Sequence, residues 1–294
     1  MSRSLRQRAL DYFHHNPTVR AWSLVAPGGL WLLVFFLVPV FMMFTYSFMP
    51  RGMYGGVESG FTLEHYLRFF DSLYLTILMR TTVDATVCTV ACLLLGYPVA
   101  YAITRAGRFK GLLLFLVILP FWTSFLVRTF AMIFLLRDTG LINTALQSIG
   151  LIDEPIVMLY TPFAVMLGLV YGYLPFMILP IYASLEKLDL SLLEAAEVLG
   201  ARPAARFFRV TLPLSLPGVF AGSLLVFIPA AGDYLNNRYL GSPQTSMIGT
   251  VVQNKFLVQF DYPQAAALSI VLMVIITAMV LVYSRFLGTE GLAV

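Results

Sequence analysis

Residues 192–218 read LLEAAEVLGARPAARFFRVTLPLSLPG, a polar and charged stretch that separates two long apolar segments. Ser191 and Glu194 have the spacing of a capping box, which predicts that a helix begins immediately after Ser191. Gly200 suits the left-handed residue that ends a helix, and Pro203 suits the first turn of a second helix. A simple connection between two segments needs only a few polar residues. This stretch therefore predicts a short helix–turn–helix that docks on another surface.

The composition of the whole chain places it in a membrane. Of its 294 residues, 59% are hydrophobic and 12% are charged, whereas a soluble domain has roughly 45–50% apolar and about 25% charged residues. Several apolar runs reach about 20 residues, the length at which a helix crosses the hydrocarbon core of a bilayer. We predict an all-α polytopic membrane protein with six spans, near residues 24–48, 74–103, 111–135, 160–182, 217–236 and 265–286.

The distribution of Lys and Arg predicts the orientation of these spans. With the N-terminus inside the cell, twelve of the 19 basic residues lie on the inner side, six lie on the outer side, and Arg128 lies within a span. Basic residues favour the cytoplasmic side, so both termini and the loop at 183–216 are predicted to be cytoplasmic. The expected organisation is an N-terminal tail at 1–23, a six-helix transmembrane domain at 24–286 and a C-terminal tail at 287–294.

Residues that could support catalysis or bind a cofactor form no recognisable pattern in the sequence. Cys88 and Cys92 lie one helical turn apart in an apolar run, where packing is favoured over a metal or redox role. The sequence has neither a Gly-x-x-x-x-Gly-Lys phosphate loop nor a Gly-x-Ser-x-Gly nucleophile elbow. We therefore expect no catalytic residue, metal site or cofactor in this chain, and no nucleic-acid partner.

Three charged residues fall inside predicted spans, where charges are costly and usually functional. Asp84 and Arg128 have similar predicted depths, so they are candidates for an intramembrane ion pair. Asp233 follows Pro229 and Gly232, which predicts a break in the fifth span. Irregular backbone at membrane depth is tolerated where it lines a cavity, so Asp233 is a candidate for a translocation path. Alternatively, Asp233 caps a helix or pairs with Arg238.

Polar and aromatic side chains extend this predicted path. Tyr234 continues the polar surface outward, and Trp122, Tyr171 and Tyr173 could offer aromatic faces to a cationic amine. Alternatively, these aromatic residues pack between helices or lie in the interfacial belt. The predicted substrate path comprises Asp233, Tyr234, Asp84, Trp122 and Tyr171.

The docking stretch resembles a known family motif. The stretch closely matches the EAA loop of ABC-importer permeases. The match consists of residues 194–196, Gly200 after three further residues, and residues 210–213 after nine more, with Val210 in place of the family's Ile. In that family, the loop is a coupling helix that sits in a groove of a cytoplasmic ATPase. The resemblance implies the fold of a type I importer permease, and it assigns ATPase coupling to Glu194, Ala195, Ala196 and Gly200.

Further stretches are similar to the permease subunits of spermidine/putrescine importers. These stretches are LPFWTSFLVRTFAM at 119–132, GLIN at 140–143 and AAGDYLNNRYLGSPQTSMIGTVVQNKF at 230–256. The resemblance implies a location in the cell inner membrane and a small cationic solute. The implied partners are a second permease subunit, two ATPase subunits that hold ATP and magnesium, and an external solute-binding protein. Two Gly-x-x-x-Gly motifs, at 168–172 and 218–222, would allow close helix packing within this chain or against that second permease.

Two alternatives to a polyamine permease stay open at this point. Iron, opine and amino-acid-like importers of the same subfamily share parts of these motifs, so the solute could differ. An ion-coupled secondary transporter would use membrane carboxylates such as Asp84 and Asp233, but it leaves the docking stretch unexplained. An importer of another solute would have its ATP hydrolysis on separate subunits, whereas a secondary transporter would use no ATP hydrolysis.

Overall fold

The computed structural model describes residues 17–287, and regular structure in this range is helical apart from one bridge between Arg51 and Val57. In chain order, the helices are α1 (Pro17–Tyr46), α2 (Glu64–Arg68), α3 (Ser72–Arg105), α4 (Lys110–Ile118), α5 (Phe125–Leu136), α6 (Leu141–Ser148), α7 (Pro162–Glu186), α8 (Leu190–Val198), α9 (Pro203–Ala231), α10 (Leu235–Leu240), α11 (Ile248–Leu257) and α12 (Tyr262–Leu287). Helices α1, α3, α7, α9 and α12 are long and apolar enough to cross a membrane. The predicted all-α polytopic class is confirmed.

The third predicted span, 111–135, is not a straight helix. The segments Gly107–Trp122 and Phe125–Ser148 meet at 91°, and they supply a sixth span only if the bent pair is counted as one. Thr123 takes an extended conformation at the bend, and its hydroxyl donates to the Pro120 carbonyl over 2.8 Å. A side chain that bonds to the backbone in this way competes with the helix. The apolar run predicted a span here, but it contained no information about the bend.

The fifth span begins earlier than predicted. Helix α9 starts at Pro203 and passes through a π-helical turn at Phe207–Thr211, so the predicted second helix of the docking stretch is continuous with the span. The wider turn lies just before Pro213, whose ring and missing N–H would disturb a regular α-turn. The predicted break at the other end is confirmed, because α9 ends at Ala231 and α10 begins only at Leu235.

The core of the bundle is formed by α3, α7 and α9, which pack closely on one another. A Cβ atom added at Gly218 would lie 2.6 Å from the Pro180 carbonyl oxygen, and one at Gly222 would lie 2.8 Å from the Met177 sulfur. The motif at 218–222 therefore serves packing between α9 and α7 within this chain. Both cysteines are also fully buried in this core, as the packing interpretation predicted.

Substitution of Gly218 tests this contact. Gly218→Ala is expected to destabilise the bundle by about 1–3 kcal/mol, the usual cost of overpacking. The added methyl group would meet the Pro180 carbonyl oxygen, and this backbone atom of α7 cannot move aside easily. Gly111→Ala is the matched control, since nothing lies within 4 Å of its added Cβ. Thermal unfolding of the purified variants in detergent measures the difference. Equal midpoints for the two variants would contradict the close α7–α9 packing.

Candidate functional site

Helix α8 carries the predicted coupling residues, and its first turn differs from the prediction. The side chain of Asp189 caps the helix by accepting the Ser191 N–H over 2.9 Å. This hydrogen bond favours the ionised carboxyl and lowers the pKa of Asp189. The predicted capping box of Ser191 and Glu194 is therefore wrong, because the preceding aspartate takes the capping position. Glu194 is exposed and has no hydrogen bond or ion pair within residues 17–287, which leaves its carboxylate available.

The C-terminal end of α8 is held rigidly by a Schellman motif. Gly200 has φ +76°, and its N–H donates to the Glu197 carbonyl over 2.8 Å. The Ala201 N–H donates to the Ala196 carbonyl over 3.0 Å, which completes the motif. The predicted left-handed glycine is confirmed, and so is the start of the next helix at Pro203.

The surface of α8 combines this rigid end with exposed side chains. Arg206 on α9 forms a 2.6 Å ion pair with Glu197, which ties α8 to the start of the fifth span. Val198 and Leu199 are 87% and 86% exposed at the tip of the helix. Ala195 is exposed and leaves room for close approach of another surface. Sequence reasoning missed the apolar tip and the ion pair, because neither belongs to the family motif.

Asp233 is the centre of a buried polar cluster at the end of α9. Asp233 is only 6% exposed. Its carboxylate accepts hydrogen bonds from the Tyr173 hydroxyl over 3.0 Å and from the Asn236 side-chain amide over 3.1 Å. The Asn236 backbone N–H donates to the same carboxylate over 2.9 Å. Asp233 therefore caps the short helix α10. Arg238 donates instead to Asn254 over 2.6 Å, so the alternative Asp233–Arg238 pair is wrong.

This cluster has an unusual charge balance. Among the described residues, no cation forms an ion pair with Asp233, whose three hydrogen bonds come from neutral groups. A buried carboxylate is costly unless it is both hydrogen-bonded and paired with a cation. The donors offset part of this cost, and a cation at this position would offset more. From the sequence, Tyr173 was predicted only to offer an aromatic face to a cation. In the structure, its hydroxyl also donates a hydrogen bond to Asp233.

The other predicted path residues do not join this cluster. Tyr234 is 40% exposed and lines a cavity of about 830 Å³ between the end of α9 and helices α11 and α12. Trp122 is 73% exposed and packs edge-on against Phe115. Tyr171 is 43% exposed on α7, two residues before Tyr173. No hydrogen bond or ring contact in the described part of the chain links Tyr171 or Trp122 to Asp233.

The predicted ion pair of Asp84 and Arg128 is also wrong. The bend in the third span directs α5 towards α7 and α10 and away from Asp84 on α3. The Arg128 guanidinium lies over the rings of Phe121 and Phe125, at 5.2 and 5.4 Å from their centres. Asp84 is half-buried, one helical turn from Arg80, whose guanidinium donates to the Gln244 carbonyl. The similar depths inferred from the sequence therefore did not imply contact.

The described residues offer no metal site of the usual kind. Between residues 17 and 287, no three His, Cys, Asp or Glu side chains are grouped as the ligands of one ion. The arrangement around Asp233 instead offers one carboxylate with a tyrosine and an asparagine, which suits an organic cation. Gly168 supports this cluster, because a Cβ there would lie 2.6 Å from the Asn236 side-chain oxygen.

Comparison with known proteins agrees with this architecture. The family described as "Binding-protein-dependent transport system inner membrane component" matches residues 92–288. The chain is 42% identical to the spermidine/putrescine transport system permease protein PotB of Escherichia coli (strain K12) over 256 residues, which are 87% of this chain and 93% of that protein. It is 32% identical to the inner membrane ABC transporter permease protein YdcU of the same organism, over 94% of this chain and 92% of that one.

A solved structure shows the same fold at much lower identity. A chain from a bacterial ABC transporter involved in the import of the acidic polysaccharide alginate superimposes with a TM-score of 0.72 at 18% identity, covering 95% of this chain and 98% of that one. The family match covers more than half of the chain, and the relatives are similar over nearly its whole length. The chain belongs to the inner-membrane components of binding-protein-dependent ABC transport systems, and it is a multi-pass, non-catalytic permease subunit.

Proposed function

We propose that this chain is one of two permease subunits of an ATP-driven importer for polyamines such as spermidine and putrescine. The observation that carries the proposal is the 42% identity to a spermidine/putrescine permease over 87% of the chain. The polar cluster around Asp233 supports the cationic solute, because it places a carboxylate at the end of a broken membrane helix, with no cationic partner among residues 17–287.

The electrostatics of the cluster favour an ammonium group. A carboxylate and an ammonium 4 Å apart attract by about 1 kcal/mol in water and by about 4 kcal/mol at an effective dielectric constant of 20. Tyr173 and Asn236 hold the Asp233 carboxylate in place, so less conformational entropy is lost when the solute binds. Tyr234 lines the cavity next to Asp233 and would extend the proposed path, and Asp84, Trp122 and Tyr171 stay candidates for it.

The coupling role falls to α8 and the turn that follows it. Glu194, Ala195, Ala196 and Gly200 would dock on one of two ATPase subunits, which hold ATP and magnesium. The Schellman motif and the Glu197–Arg206 ion pair support this role, because they connect α8 to the start of α9. Helix α9 leads in turn to Asp233, so one continuous element connects the proposed docking surface with the proposed solute site.

The remaining partners follow from the surfaces that this chain leaves uncovered. Helix α1 packs against α12, yet its apolar side chains stay exposed over most of its length, for example Phe36 at 66%. Membrane lipid and the second permease would cover this surface. The docking loop and both termini would be cytoplasmic, which leaves the opposite end of the bundle for an external solute-binding protein.

Competition for uptake in cells tests the solute. A strain without its own polyamine uptake would express the complete set of subunits, and labelled spermidine would be supplied at a fixed concentration. We expect excess spermidine or putrescine to reduce the labelled uptake at least tenfold, and excess ferric iron, opines or neutral amino acids to leave it unchanged. Uptake that is reduced by one of the latter solutes and not by putrescine would reject the polyamine assignment. Uptake that needs an ion gradient and no ATPase would indicate the secondary transporter.

A further inference from the structure

Arg128 carries a membrane-embedded charge that has neither an ion pair nor a hydrogen bond among the described residues. Its Nε and Nη1 atoms are covered by this chain and have no hydrogen-bond acceptor between residues 17 and 287, which leaves Nη2 as the atom that another group can reach. None of the ion pairs in this part of the chain includes Arg128. An unpaired charge in a membrane span is strongly unfavourable. The side chain therefore requires an acceptor that lies outside the described residues.

The direction of the side chain argues against a lipid headgroup as that acceptor. The guanidinium lies back over Phe121 and Phe125, which both precede Arg128 in the chain. The Phe125 ring comes within 3.5 Å of the position that a Cβ on Gly172 would occupy, and Gly172 lies about 15 Å along α7 from its first residue. An arginine that reached for a headgroup would extend towards the nearer membrane surface. Arg128 points towards the middle of the span instead.

The surroundings of Arg128 indicate a protein interface. Leu126, Val127 and Phe130 next to it on α5 are exposed, at 41%, 60% and 45%. A charge set among exposed apolar side chains at membrane depth needs an acceptor that is itself held by packed helices. The proposed solute is a cation and would be repelled by Arg128. Of the two buried carboxylates in the described part of the chain, Asp233 is already bound by Tyr173 and Asn236, and Asp261 lies within 4.0 Å of Arg51 and Lys255.

We propose that a carboxylate of the second permease subunit pairs with Arg128, and that the bend of the third span is therefore part of the interface between the two permeases. This inference rests on the proposed two-permease importer, but it does not depend on the identity of the solute. The pair buries a charge from each subunit, so it favours association of this chain with its proper partner over association with other helices.

Association of the two permeases in detergent and in nanodiscs tests the pair. Arg128→Met keeps the length of the side chain but removes its charge, and it is expected to raise the dissociation constant at least 30-fold, because the partner carboxylate stays buried and unpaired. Arg128→Lys should retain most of the association. Arg137→Met is the matched control, since Arg137 is exposed at the end of the same helix, and it should associate like the unmodified chain.

Charge reversal identifies the partner residue. Arg128→Glu would be combined in turn with an Arg substitution of each membrane Asp or Glu of the second permease, and one combination should restore association. Unchanged association of Arg128→Met, or rescue by no combination, would overturn the proposal. If the unmodified complex dissociates in nanodiscs of phosphatidylcholine alone and is restored by phosphatidylglycerol, an anionic lipid headgroup is the acceptor and the proposal is also wrong.

The readouts separate this inference from the proposed function. A complex that associates through Arg128 but does not transport polyamines would reject only the solute. If Arg128→Met associates normally and loses uptake of an anionic solute, Arg128 lies in the solute path, and both the interface and the polyamine assignment are wrong. Thermal unfolding of each variant as a single chain shows whether a loss of association reflects misfolding.

Discussion

Gly200→Val is expected to reduce ATP hydrolysis stimulated by the solute-binding protein at least tenfold in the assembled importer. Valine is β-branched and cannot easily adopt the left-handed conformation that residue 200 has, with φ +76°. Strain of this kind costs about 1–3 kcal/mol, and it would be relieved by fraying the Schellman motif at the end of α8. A frayed helix end would misplace Val198 and Leu199 and would loosen the Glu197–Arg206 link to α9.

A conservative substitution provides the control for this result. Asparagine tolerates the left-handed conformation, so Gly200→Asn should retain most of the stimulated activity. Stimulated and basal ATP hydrolysis would be measured on purified complexes with equal subunit content. Full stimulation of the Val variant would show that the turn after α8 does not transmit coupling. A loss of the ATPase subunits from the Val complex would fit the proposal, because docking is the function assigned to this surface.

Asp233→Asn is expected to reduce polyamine uptake per assembled complex by about 10- to 100-fold, because a hydrogen bond to a charged group contributes about 1.5–3 kcal/mol. The hydrogen bonds that Oδ2 accepts from the side chains of Tyr173 and Asn236 are lost. The amide is nearly isosteric, and its oxygen in the position of Oδ1 still accepts the Asn236 backbone N–H, so the cap of α10 should survive. Basal ATP hydrolysis should therefore be retained. Uptake of labelled spermidine and thermal stability would be measured on the same preparations.

Two further variants separate a solute role from a structural one. Asp71→Asn removes one negative charge from an exposed position just before α3, and it should leave uptake unchanged. Tyr173→Phe removes one hydrogen-bond donor from Asp233 but keeps its charge, and it should have a smaller effect than Asp233→Asn. If Asp233→Asn leaves uptake unchanged, the site assignment is wrong. If assembly and uptake fall in proportion, Asp233 is chiefly the cap of α10.

Features encoded by neighbouring residues could be predicted from the sequence. Apolar runs predicted the spans, because a helix in lipid must be apolar along its length. Gly200 and Pro203 predicted a helix end and a helix start, since both depend on the φ angle of a single residue. Pro229 and Gly232 predicted the end of α9 beside Asp233, because proline removes a helix hydrogen bond and glycine loosens the backbone.

Features that depend on three-dimensional neighbours could not be predicted. Asp84 and Arg128 were paired on depth alone, and the 91° bend at Thr123 separates the helices that carry them. The capping box failed because Asp189 competes for the same backbone N–H groups, and sequence spacing does not rank two acceptors. The partner of the 218–222 motif became clear only from the position of Met177 and Pro180 on α7.

Uptake by a reconstituted importer tests the central proposal most directly. The two permeases and the ATPase subunits would be placed in proteoliposomes, with ATP enclosed and with labelled spermidine and the solute-binding protein outside. We predict that spermidine accumulates only when ATP, the binding protein and this chain are all present, and that the accumulation falls sharply with Asp233→Asn. Accumulation driven by an ion gradient without ATP, or ATP-driven accumulation that proceeds without this chain, would contradict the assignment of this protein as an ABC polyamine permease.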